Sequence, residues 1–363
     1  MISHNFIQQH LLRRSALSDI LSPLGALNAA YQSRRRQRKT GLAWHPSCKV
    51  VSIGNLTSGG SGKTPFSVYL AELLAAGGIR IAVSHRGYKG ALENTPSLIS
   101  DGQRILYGVR DCGDEAFLLA NRLPQIPVVV GRERRAAVSL LLAEFPKLQA
   151  VVLDDAFQHL KIARDLDIVC FDAETGIGNG RMLPAGYLRE PLDCLKPPTV
   201  AVIIHKGPAA ATGSLEALLM ERKLPVFHCY YGIEGIVGCD GTVADSDNMK
   251  GKKVILASGI ANPGSFERTV TGLGVKWLHH FRYPDHYAFM DEREANRIAD
   301  LCEKYQADAL LCTEKDLAKL CLHPLLRDKT LAVRIGLNCP DHDKLRDLVL
   351  ERLGFSSLPH PRS

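Results

Sequence analysis

The sequence predicts an α/β fold: a doubly wound, mostly parallel sheet with a second, smaller α/β domain and an N-terminal amphipathic helix. From residue 48 onward, short runs of β-branched residues alternate with helical patterns. Strands that are apolar throughout are typical of parallel sheets covered by helices on both faces. A glycine-rich segment lies between the first apolar run and the first helical pattern. That order of strand, loop and helix is typical of this fold class.

The length of 363 residues predicts two domains. A hydrophobic share of 45% and a charged share of 23% exclude a disordered chain. We find no apolar run of about 18 residues and no secretory signal, which argues against a spanning helix and secretion. The expected divisions are a basic amphipathic membrane-interface segment at 1–40, a P-loop domain at 41–224, a β-ribbon linker at 225–238, a second α/β domain at 239–345 and a C-terminal tail at 346–363.

The individual elements follow from the periodicity of the apolar residues. The predicted strands are Val50–Ile53, Ile79–Val83, Pro127–Val130, Val151–Leu153, Asp167–Phe171, Val200–Ile204, Val226–Tyr231, Gly235–Val237, Val254–Ser258, Ala309–Cys312 and Leu331–Ile335. The predicted helices between them include Phe66–Ala76, Glu115–Asn121 and Ala136–Glu144.

The N-terminal segment is apolar at helical spacing and strongly basic. Residues 1–40 carry +6 of the net charge of +7, so the rest of the chain is nearly neutral and a nucleic-acid partner is not expected. Arg13, Arg14 and Pro23 interrupt the apolar pattern, which predicts an amphipathic helix with a break. Such a helix could lie in a membrane interface with its cations against anionic headgroups, or pack on its own domain. The sequence leaves both arrangements of the helix open. The apolar residues are Phe6, Ile7, Leu11, Leu12, Leu17, Ile20, Leu21, Leu24 and Leu27.

Ten cysteines are scattered along the chain without a Cys-x-x-Cys pair or a zinc-type spacing to histidine. We therefore expect mostly buried free thiols in a reducing compartment.

The glycine-rich segment predicts a phosphate-binding loop of the P-loop NTPase-like kind. Its backbone N–H groups would surround the β- and γ-phosphates, Lys63 would supply a positive charge, and the Thr64 hydroxyl could bind Mg²⁺. Thr57 stands where this motif usually has its first glycine. The loop residues are Thr57, Ser58, Gly59, Gly60, Ser61, Gly62, Lys63 and Thr64.

A second motif ends the apolar run Val151–Leu153 with two acids, Asp154 and Asp155. In a sheet that also carries a phosphate loop, one carboxylate would hold Mg²⁺ and the other would orient it. The alternative is an aspartate that caps the next helix.

Further short motifs follow one another along the chain: Gly54–Thr57, Gly59–Pro65, Arg86–Tyr88, Gly113–Glu115, Gly131–Arg134, Asp154–His159, Gly178–Arg181, Leu183–Gly186, Leu188–Pro191, Asp285–His286 and Thr313–Asp316. This ordered set resembles the tetraacyldisaccharide 4'-kinase family of lipid A biosynthesis over nearly the whole chain. The resemblance implies an ATP- and Mg²⁺-dependent transfer of phosphate to the 4'-hydroxyl of an acylated disaccharide 1-phosphate. It also implies a peripheral or monotopic place on the cytoplasmic, anionic face of a Gram-negative inner membrane; no protein partner is expected.

The same resemblance implies roles for single residues. Asp114 corresponds to the catalytic aspartate and His286 to its hydrogen-bonding partner. The residues alone favour a helix cap at Asp114 and a position after a turn for His286, and the complete set of motifs reverses that preference. Arg134 and Arg189 correspond to arginines near the phosphates, although single arginines are often surface residues.

One further acidic residue and one further segment complete the predicted site. Glu190 could contact Mg²⁺ or the nucleotide, or form a structural salt bridge. Arg86, Gly87 and Tyr88 correspond to the segment facing the lipid acceptor, or could be an ordinary loop.

The chain departs from the family pattern at two positions. The family usually has Ser where this sequence has His85, and Gly where it has Ala156. His85 could alter contacts to the acceptor sugar, and Ala156 requires a negative φ.

Two other functions compete with the kinase. A switch ATPase of the deviant P-loop class has a similar glycine-rich loop but carries an extra lysine where Thr57 and Ser58 stand. A non-enzymatic membrane-binding module would leave Lys63, Asp154 and Asp155 unexplained.

Overall fold

The structure is a computed structural model that describes residues 12–207 and 210–355. Predictions that fall on residues 1–11, including the apolar residues Phe6, Ile7 and Leu11, lie outside the described residues. No helix within the described ranges is both long enough and apolar enough to span a bilayer.

The described residues form helices and strands in alternation, as predicted. The strands are β1 Lys49–Gly54, β2 Ile81–His85, β3 Ser97–Ser100, β4 Val128–Val130, β5 Ala150–Leu153, β6 Leu166–Asp172, β7 Thr199–His205, β8 Val226–Gly238, β9 Val243–Ala244, β10 Lys253–Ser258, β11 Lys276–Arg282, β12 Ala309–Thr313 and β13 Thr330–Asn338. The α-helices are α1 Ala16–Ile20, α2 Ser22–Thr40, α3 Lys63–Ala76, α4 Val109–Cys112, α5 Asp114–Arg122, α6 Arg134–Glu144, α7 Gly213–Glu221, α8 Pro263–Gly272, α9 Glu292–Lys304, α10 Glu314–Leu320, α11 Pro324–Arg327 and α12 His342–Leu353. Short 3₁₀ helices lie at Leu192–Cys194 and Ser246–Met249.

The strands of the described chain belong to one mixed sheet in the order β11-β10-β12-β13-β8-β7-β6-β1-β5-β2-β4-β3, with β9 paired to β8. Most neighbours are parallel; β3 with β4, β8 with β13 and β8 with β9 are antiparallel. The predicted α/β class with a large, mostly parallel sheet is confirmed. β3, β9 and β11 were not predicted.

The long strand β8 lies at the centre of this architecture. Its first residues pair in parallel with β7, and its later residues pair antiparallel with β13. The segment 225–238, expected as a ribbon between two domains, is thus almost entirely one strand shared by the two halves of the sheet.

The expected C-terminal tail, 346–363, begins within α12. Val349, Leu350 and Leu353 on this helix are buried in the core formed by α3, α5 and the neighbouring strands. Residues 356–363 lie outside the described residues.

The N-terminal helices pack on the first half of the chain through part of their surface. α1 ends before Leu21, and Pro23 lies in the first turn of α2, where a missing N–H is tolerated. Asn28 Nδ2 donates to the Leu183 carbonyl at 2.9 Å, and Arg36 donates to the Phe157 carbonyl at 3.1 Å. These contacts fix α2 beside the loops that follow β5 and β6.

The cysteines are mostly free and buried, as expected, with one exception. Cys239, after β8, and Cys321, after α10, form a disulfide that the sequence did not predict. Of the eight free cysteines, only Cys194 is not fully buried.

Candidate active site

The glycine-rich loop connects β1 to α3. Gly59 and Gly62 adopt positive φ angles of 104° and 79°, which an L side chain rarely adopts. A Cβ on Gly62 would also lie 2.9 Å from Ile204 Cδ1. Thr57 does not have a positive φ, and its buried carbonyl accepts from Asn55 Nδ2 at 2.9 Å. The backbone therefore does not require glycine at position 57.

Arg189 lies against this loop. Its backbone N–H donates to the Leu56 carbonyl at 2.7 Å, and its guanidinium donates to Asn55 Oδ1. Its buried Nε has no hydrogen-bond partner within the described chain. The structure therefore brings Arg189 to the loop and leaves its Nε–H free to donate to a ligand.

The acidic pair follows β5 at the same edge of the sheet. Asp154 is fully buried and accepts from Thr64 Oγ1 at 3.0 Å and from Ser67 Oγ at 2.8 Å. Burial raises the pKa of Asp154. Asp155 Oδ1 lies 3.6 Å from Lys63 Nζ. The structure thus joins both acids to the first turn of α3.

The left-handed residue in this turn is Asp155, with a φ of 47°, and not Ala156. The Ala156 N–H donates to the Ile53 carbonyl at 2.9 Å. Alanine in place of the family's glycine is therefore accommodated without a positive φ.

Arg134, the first residue of α6, is buried beside the acidic pair. Its Nη2 donates to the Asp154 carbonyl at 2.6 Å, whereas its buried Nη1 has no partner among the described residues. Burial lowers the pKa of Arg134 to about 10, so the guanidinium stays charged at neutral pH.

Glu190 is buried next to α2. Its carboxylate lies 3.5 Å from Arg36 Nε and 3.9 Å from Arg35 Nη1. These contacts form the structural salt bridge that the sequence left open as the alternative to a metal ligand. The structure shows no ion pair or hydrogen bond from Glu190 to Thr64 or Asp154, all of which it describes.

Asp114 and His286 come from different halves of the sheet and meet. Asp114 is the first residue of α5, and His286 follows β11. His286 Nδ1 donates to Asp114 Oδ1 at 3.0 Å. The Lys315 ammonium lies 3.4 Å from His286 Nε2, which fits a ring protonated on Nδ1.

Two lysines on α10 also face Asp114. Lys319 Nζ lies 3.2 Å and Lys315 Nζ 3.9 Å from Asp114 Oδ2. Burial alone would raise the pKa of Asp114, but the hydrogen bond from His286 and the two lysine charges outweigh it. They lower the pKa to about 2. Asp114 is therefore ionised at neutral pH.

The sequence did not predict the role of Lys319. Its ammonium also contacts Asp316 Oδ1 at 2.9 Å and donates to the Tyr287 carbonyl at 2.9 Å. Lys315 and Lys319 are four residues apart, so both lie on one face of the helix. That spacing was the sequence signal that could have identified Lys319.

His85 connects the acidic pair to the Asp114 region. The Gly87 N–H donates to His85 Nδ1 at 3.0 Å, so the ring proton lies on Nε2. Nε2 is 3.3 Å from Glu115 Oε2 and 3.9 Å from Asp154 Oδ2. Nε2 of this buried ring therefore faces two carboxylates, while Nδ1 accepts from the backbone.

The segment Arg86–Tyr88 lies beside the Asp114–His286 pair. Tyr88 packs edge-on against His286, with ring centroids 5.2 Å apart. Arg86 lies over the Tyr88 ring and donates to Glu93 Oε1 at 2.7 Å. Gly87 has a φ of 74°. The segment therefore adjoins the proposed catalytic pair, with Arg86 and Tyr88 exposed.

Known proteins are similar to this chain in sequence and in fold. Residues 17–354 match the family model described as Tetraacyldisaccharide-1-P 4'-kinase. The chain belongs to this family. A tetraacyldisaccharide 4'-kinase of Desulfatibacillum aliphaticivorans is 36% identical over 324 residues, covering 87% of this chain and 85% of the relative. One of Anaeromyxobacter sp. (strain Fw109-5) is 38% identical over 293 residues, covering 79% and 77%.

A solved structure of the family agrees with the fold. It is described as the "apo" form of LpxK from Aquifex aeolicus in complex with ATP. It aligns with a TM-score of 0.72 and 27% identity, covering 93% of this chain and 99% of that one. The family assignment from sequence motifs is thus confirmed.

Proposed function

We propose that this chain is a tetraacyldisaccharide 4'-kinase. It transfers the γ-phosphate of ATP to the 4'-hydroxyl of a tetraacyldisaccharide 1-phosphate and produces the 1,4'-bisphosphate lipid of lipid A biosynthesis. The observation that carries this proposal is the hydrogen bond between His286 and Asp114, next to the exposed ring of Tyr88. Family membership supplies the acceptor class.

The nucleotide phosphates would lie on the P-loop NTPase-like segment 57–64. Its backbone N–H groups and Lys63 would bind the β- and γ-phosphates, with Arg189 at the side of the loop. The Arg134 guanidinium would add positive charge near the phosphates, next to the acidic pair, because it donates to the Asp154 carbonyl.

The residues of the acidic pair fit Mg²⁺. Mg²⁺ usually takes one or two protein oxygens, with water and nucleotide phosphates completing its coordination. Thr64 Oγ1 and Asp154 Oδ2 are already 3.0 Å apart, and Asp155 lies beside them. Bound there, the ion would neutralise phosphate charge. Glu190 would act by holding α2 and not as a ligand.

Asp114 would accept the proton of the attacking hydroxyl. A phosphoryl transfer with a loose transition state needs little proton removal before the phosphoryl group moves, so a weakly basic aspartate is sufficient. His286 holds the carboxylate in place through its Nδ1 proton. Lys315 and Lys319 keep the carboxylate ionised.

The acceptor headgroup would approach along Arg86–Tyr88. The Arg86 guanidinium and the exposed Tyr88 ring lie next to His286. A cation and an aromatic ring suit a sugar phosphate, because the ring covers the sugar face and the cation meets the phosphate.

The N-terminal amphipathic helices would hold the enzyme on an anionic bilayer. A stripe of exposed apolar side chains follows helical spacing along α1 and α2, where Arg34, Arg35 and Arg38 add positive charge. Apolar burial plus headgroup attraction is the usual mode of interfacial helices. We place the enzyme at the cytoplasmic face of the inner membrane. The stripe consists of Leu17, Ile20, Leu24, Leu27 and Tyr31.

The kinase is tested by incubating the protein with ATP and the tetraacyldisaccharide 1-phosphate in detergent micelles, with chromatography of the lipid product. We expect a bisphosphorylated lipid and ATP consumption that depends on the acceptor. ATP hydrolysis at the same rate without the acceptor would favour the switch ATPase and contradict the kinase.

Membrane attachment is tested with vesicles containing phosphatidylglycerol. Leu24→Glu and Leu27→Glu together should reduce co-sedimentation and raise KM for the lipid more than for ATP. Leu325→Glu, at an exposed leucine on α11, is the matched control and should change neither. Unchanged sedimentation of the double variant at low and high salt would show that the stripe does not bind the bilayer.

A further inference from the structure

The connection between β3 and α4 exposes a run of large apolar side chains outside the residues used above. Ile105, Leu106 and Tyr107 are 40%, 46% and 41% exposed. No other three consecutive large apolar side chains are exposed in the part of the chain that the structure describes. A contiguous exposed apolar group usually marks a contact with another molecule. We call residues 105–107 the apolar loop.

Backbone hydrogen bonds hold the apolar loop in place. The Leu106 N–H donates to the Ile99 carbonyl of β3 at 2.8 Å, and Ile105 pairs antiparallel with Ser100. Ile99, before the loop, and Val109, after it, are both buried. The loop is thus anchored to the core at both ends while its three apolar side chains face solvent.

Two arginines flank the apolar loop. Arg104 and Arg110 are exposed, and neither forms an ion pair or a side-chain hydrogen bond within residues 12–207 and 210–355. The neighbouring acids are only partly exposed and are bound to the backbone. Asp101 Oδ1 accepts from the Arg104 N–H at 2.7 Å. Asp111 Oδ2 accepts from the Gly108 N–H at 3.2 Å. Apolar side chains flanked by exposed cations match a bilayer with anionic headgroups.

The apolar loop adjoins the segment that would face the acceptor headgroup. The Ala91 N–H donates to the carbonyl of Arg110, which follows the loop, at 3.1 Å. Tyr88, three residues before Ala91, packs edge-on against His286. An acylated acceptor keeps its acyl chains in the bilayer while its headgroup approaches this segment. The apolar loop therefore lies where the protein has to meet the lipid surface.

We propose that the apolar loop inserts into an anionic bilayer, at the boundary between headgroups and acyl chains, with Arg104 and Arg110 among the headgroups. It is a second membrane contact, separate from α1 and α2. This inference rests on the proposed function, because the acceptor of that reaction lies in the bilayer. Two separate contacts fix the orientation of a peripheral protein, whereas one helix lets the protein rotate about its axis. The loop thereby turns the Asp114–His286 pair toward the headgroups.

Insertion is measured by the tryptophan fluorescence of the full-length protein on phosphatidylglycerol-containing vesicles whose acyl chains are brominated, since bromine quenches a tryptophan that it contacts. The wild-type signal, from Trp44 and Trp277, is the baseline. Tyr107→Trp should add emission that moves to shorter wavelength and is quenched on these vesicles. Tyr305→Trp, at a tyrosine that is also 41% exposed and follows α9, is the matched control. Its added emission should be neither shifted nor quenched.

Co-sedimentation with unbrominated vesicles measures what the apolar side chains contribute. Ile105→Ser combined with Leu106→Ser should weaken binding about tenfold, because two large apolar side chains no longer enter the bilayer. Leu322→Ser combined with Leu325→Ser is the matched control, at leucines that are 50% and 65% exposed, and should leave binding unchanged.

The arginines are tested in the same assay. Arg104→Gln and Arg110→Gln should each weaken binding about fivefold at low salt, and the effect should shrink as the salt concentration rises.

These measurements contain neither ATP nor acceptor, so a negative result would leave the proposed reaction standing. Tyr107→Trp emission that is neither shifted nor quenched on vesicles that bind the protein overturns the proposal. A wavelength shift without vesicles that grows with protein concentration also overturns it, because a second copy of the chain would then cover the loop. Weaker vesicle binding in the double serine variant of the loop, with unchanged phosphorylation of acceptor dispersed in detergent, supports it.

Discussion

Replacing Lys319 by methionine removes the buried ammonium that faces Asp114 and Asp316 while keeping the length of the side chain. At about 3 Å and an effective dielectric constant of about 20, each carboxylate attracts the ammonium by about 5 kcal/mol before desolvation is counted. Removing one partner of a buried pair costs about 3–5 kcal/mol. Asp316 keeps hydrogen bonds from Thr313 Oγ1 and the Gly259 N–H. We therefore expect a loss of about 3 kcal/mol in the free energy of unfolding.

The pH dependence of the stability lost in Lys319→Met follows from the ionisation of Asp114. Lowering its pKa from 3.8 to about 2 corresponds to about 2 kcal/mol at neutral pH. Because the folded-state pKa is depressed, this stabilisation is present above about pH 4 and is lost as the pH falls toward 2. Without Lys319 the folded-state pKa of Asp114 rises. The stability difference between Lys319→Met and the wild type should therefore narrow as the pH falls below about 4.

Urea unfolding from pH 7.5 down to pH 3 measures both effects. The matched control is Lys344→Met, since Lys344 pairs with Asp341 at 2.6 Å but is 78% exposed. Exposed pairs contribute little to stability, so this variant should unfold close to the wild type at every pH. A Lys319→Met protein within about 1 kcal/mol of the wild type at pH 7.5, or with the same deficit at pH 3, would show that Lys319 does not stabilise the ionised Asp114.

Two other substitutions test the phosphate loop and the packing at the end of β1, the strand before it. Lys63→Ala should lower kcat by about 10²-fold or more with an unchanged thermal midpoint, because the charge on the phosphates is lost; activity within a few-fold of the wild type would contradict the loop assignment. Gly54→Ala should destabilise by more than about 2 kcal/mol, because the new Cβ would lie 2.8 Å from the Phe157 backbone nitrogen. Gly272→Ala, with no heavy atom within 4 Å, is its control in thermal unfolding; an equal effect in both would contradict the packing argument.

The strands that the sequence predicted well are those buried on both faces. The predicted strand at Val200–Ile204, for example, lies within β7, where every residue is buried. β11 was missed because it is an edge strand with largely exposed, polar residues, and its pattern resembles a loop. β3 was missed because two of its four residues are serines, so it has no continuous apolar run.

The acidic pair and loop were predictable because each is a local motif after a strand. The contacts of His85 were not, because they depend on the order of strands in the sheet. His85 ends β2, whose neighbour β5 precedes Asp154, and that adjacency brings the two side chains together. Asp114 and His286 are 172 residues apart and were linked through the family resemblance alone. Lys319 carried no motif of its own.

We propose that Asp114 and His286 act as one unit across the two halves of the sheet. The measurement is kcat for Asp114→Ala, His286→Ala and the double variant with saturating ATP and lipid, together with the Kd for ATP. We predict a loss of about 10²–10⁴-fold for Asp114→Ala, a smaller loss for His286→Ala, and little further loss in the double variant, with ATP affinity unchanged. Losses that multiply independently, or an Asp114→Ala defect that is mainly in ATP binding, would contradict the claim.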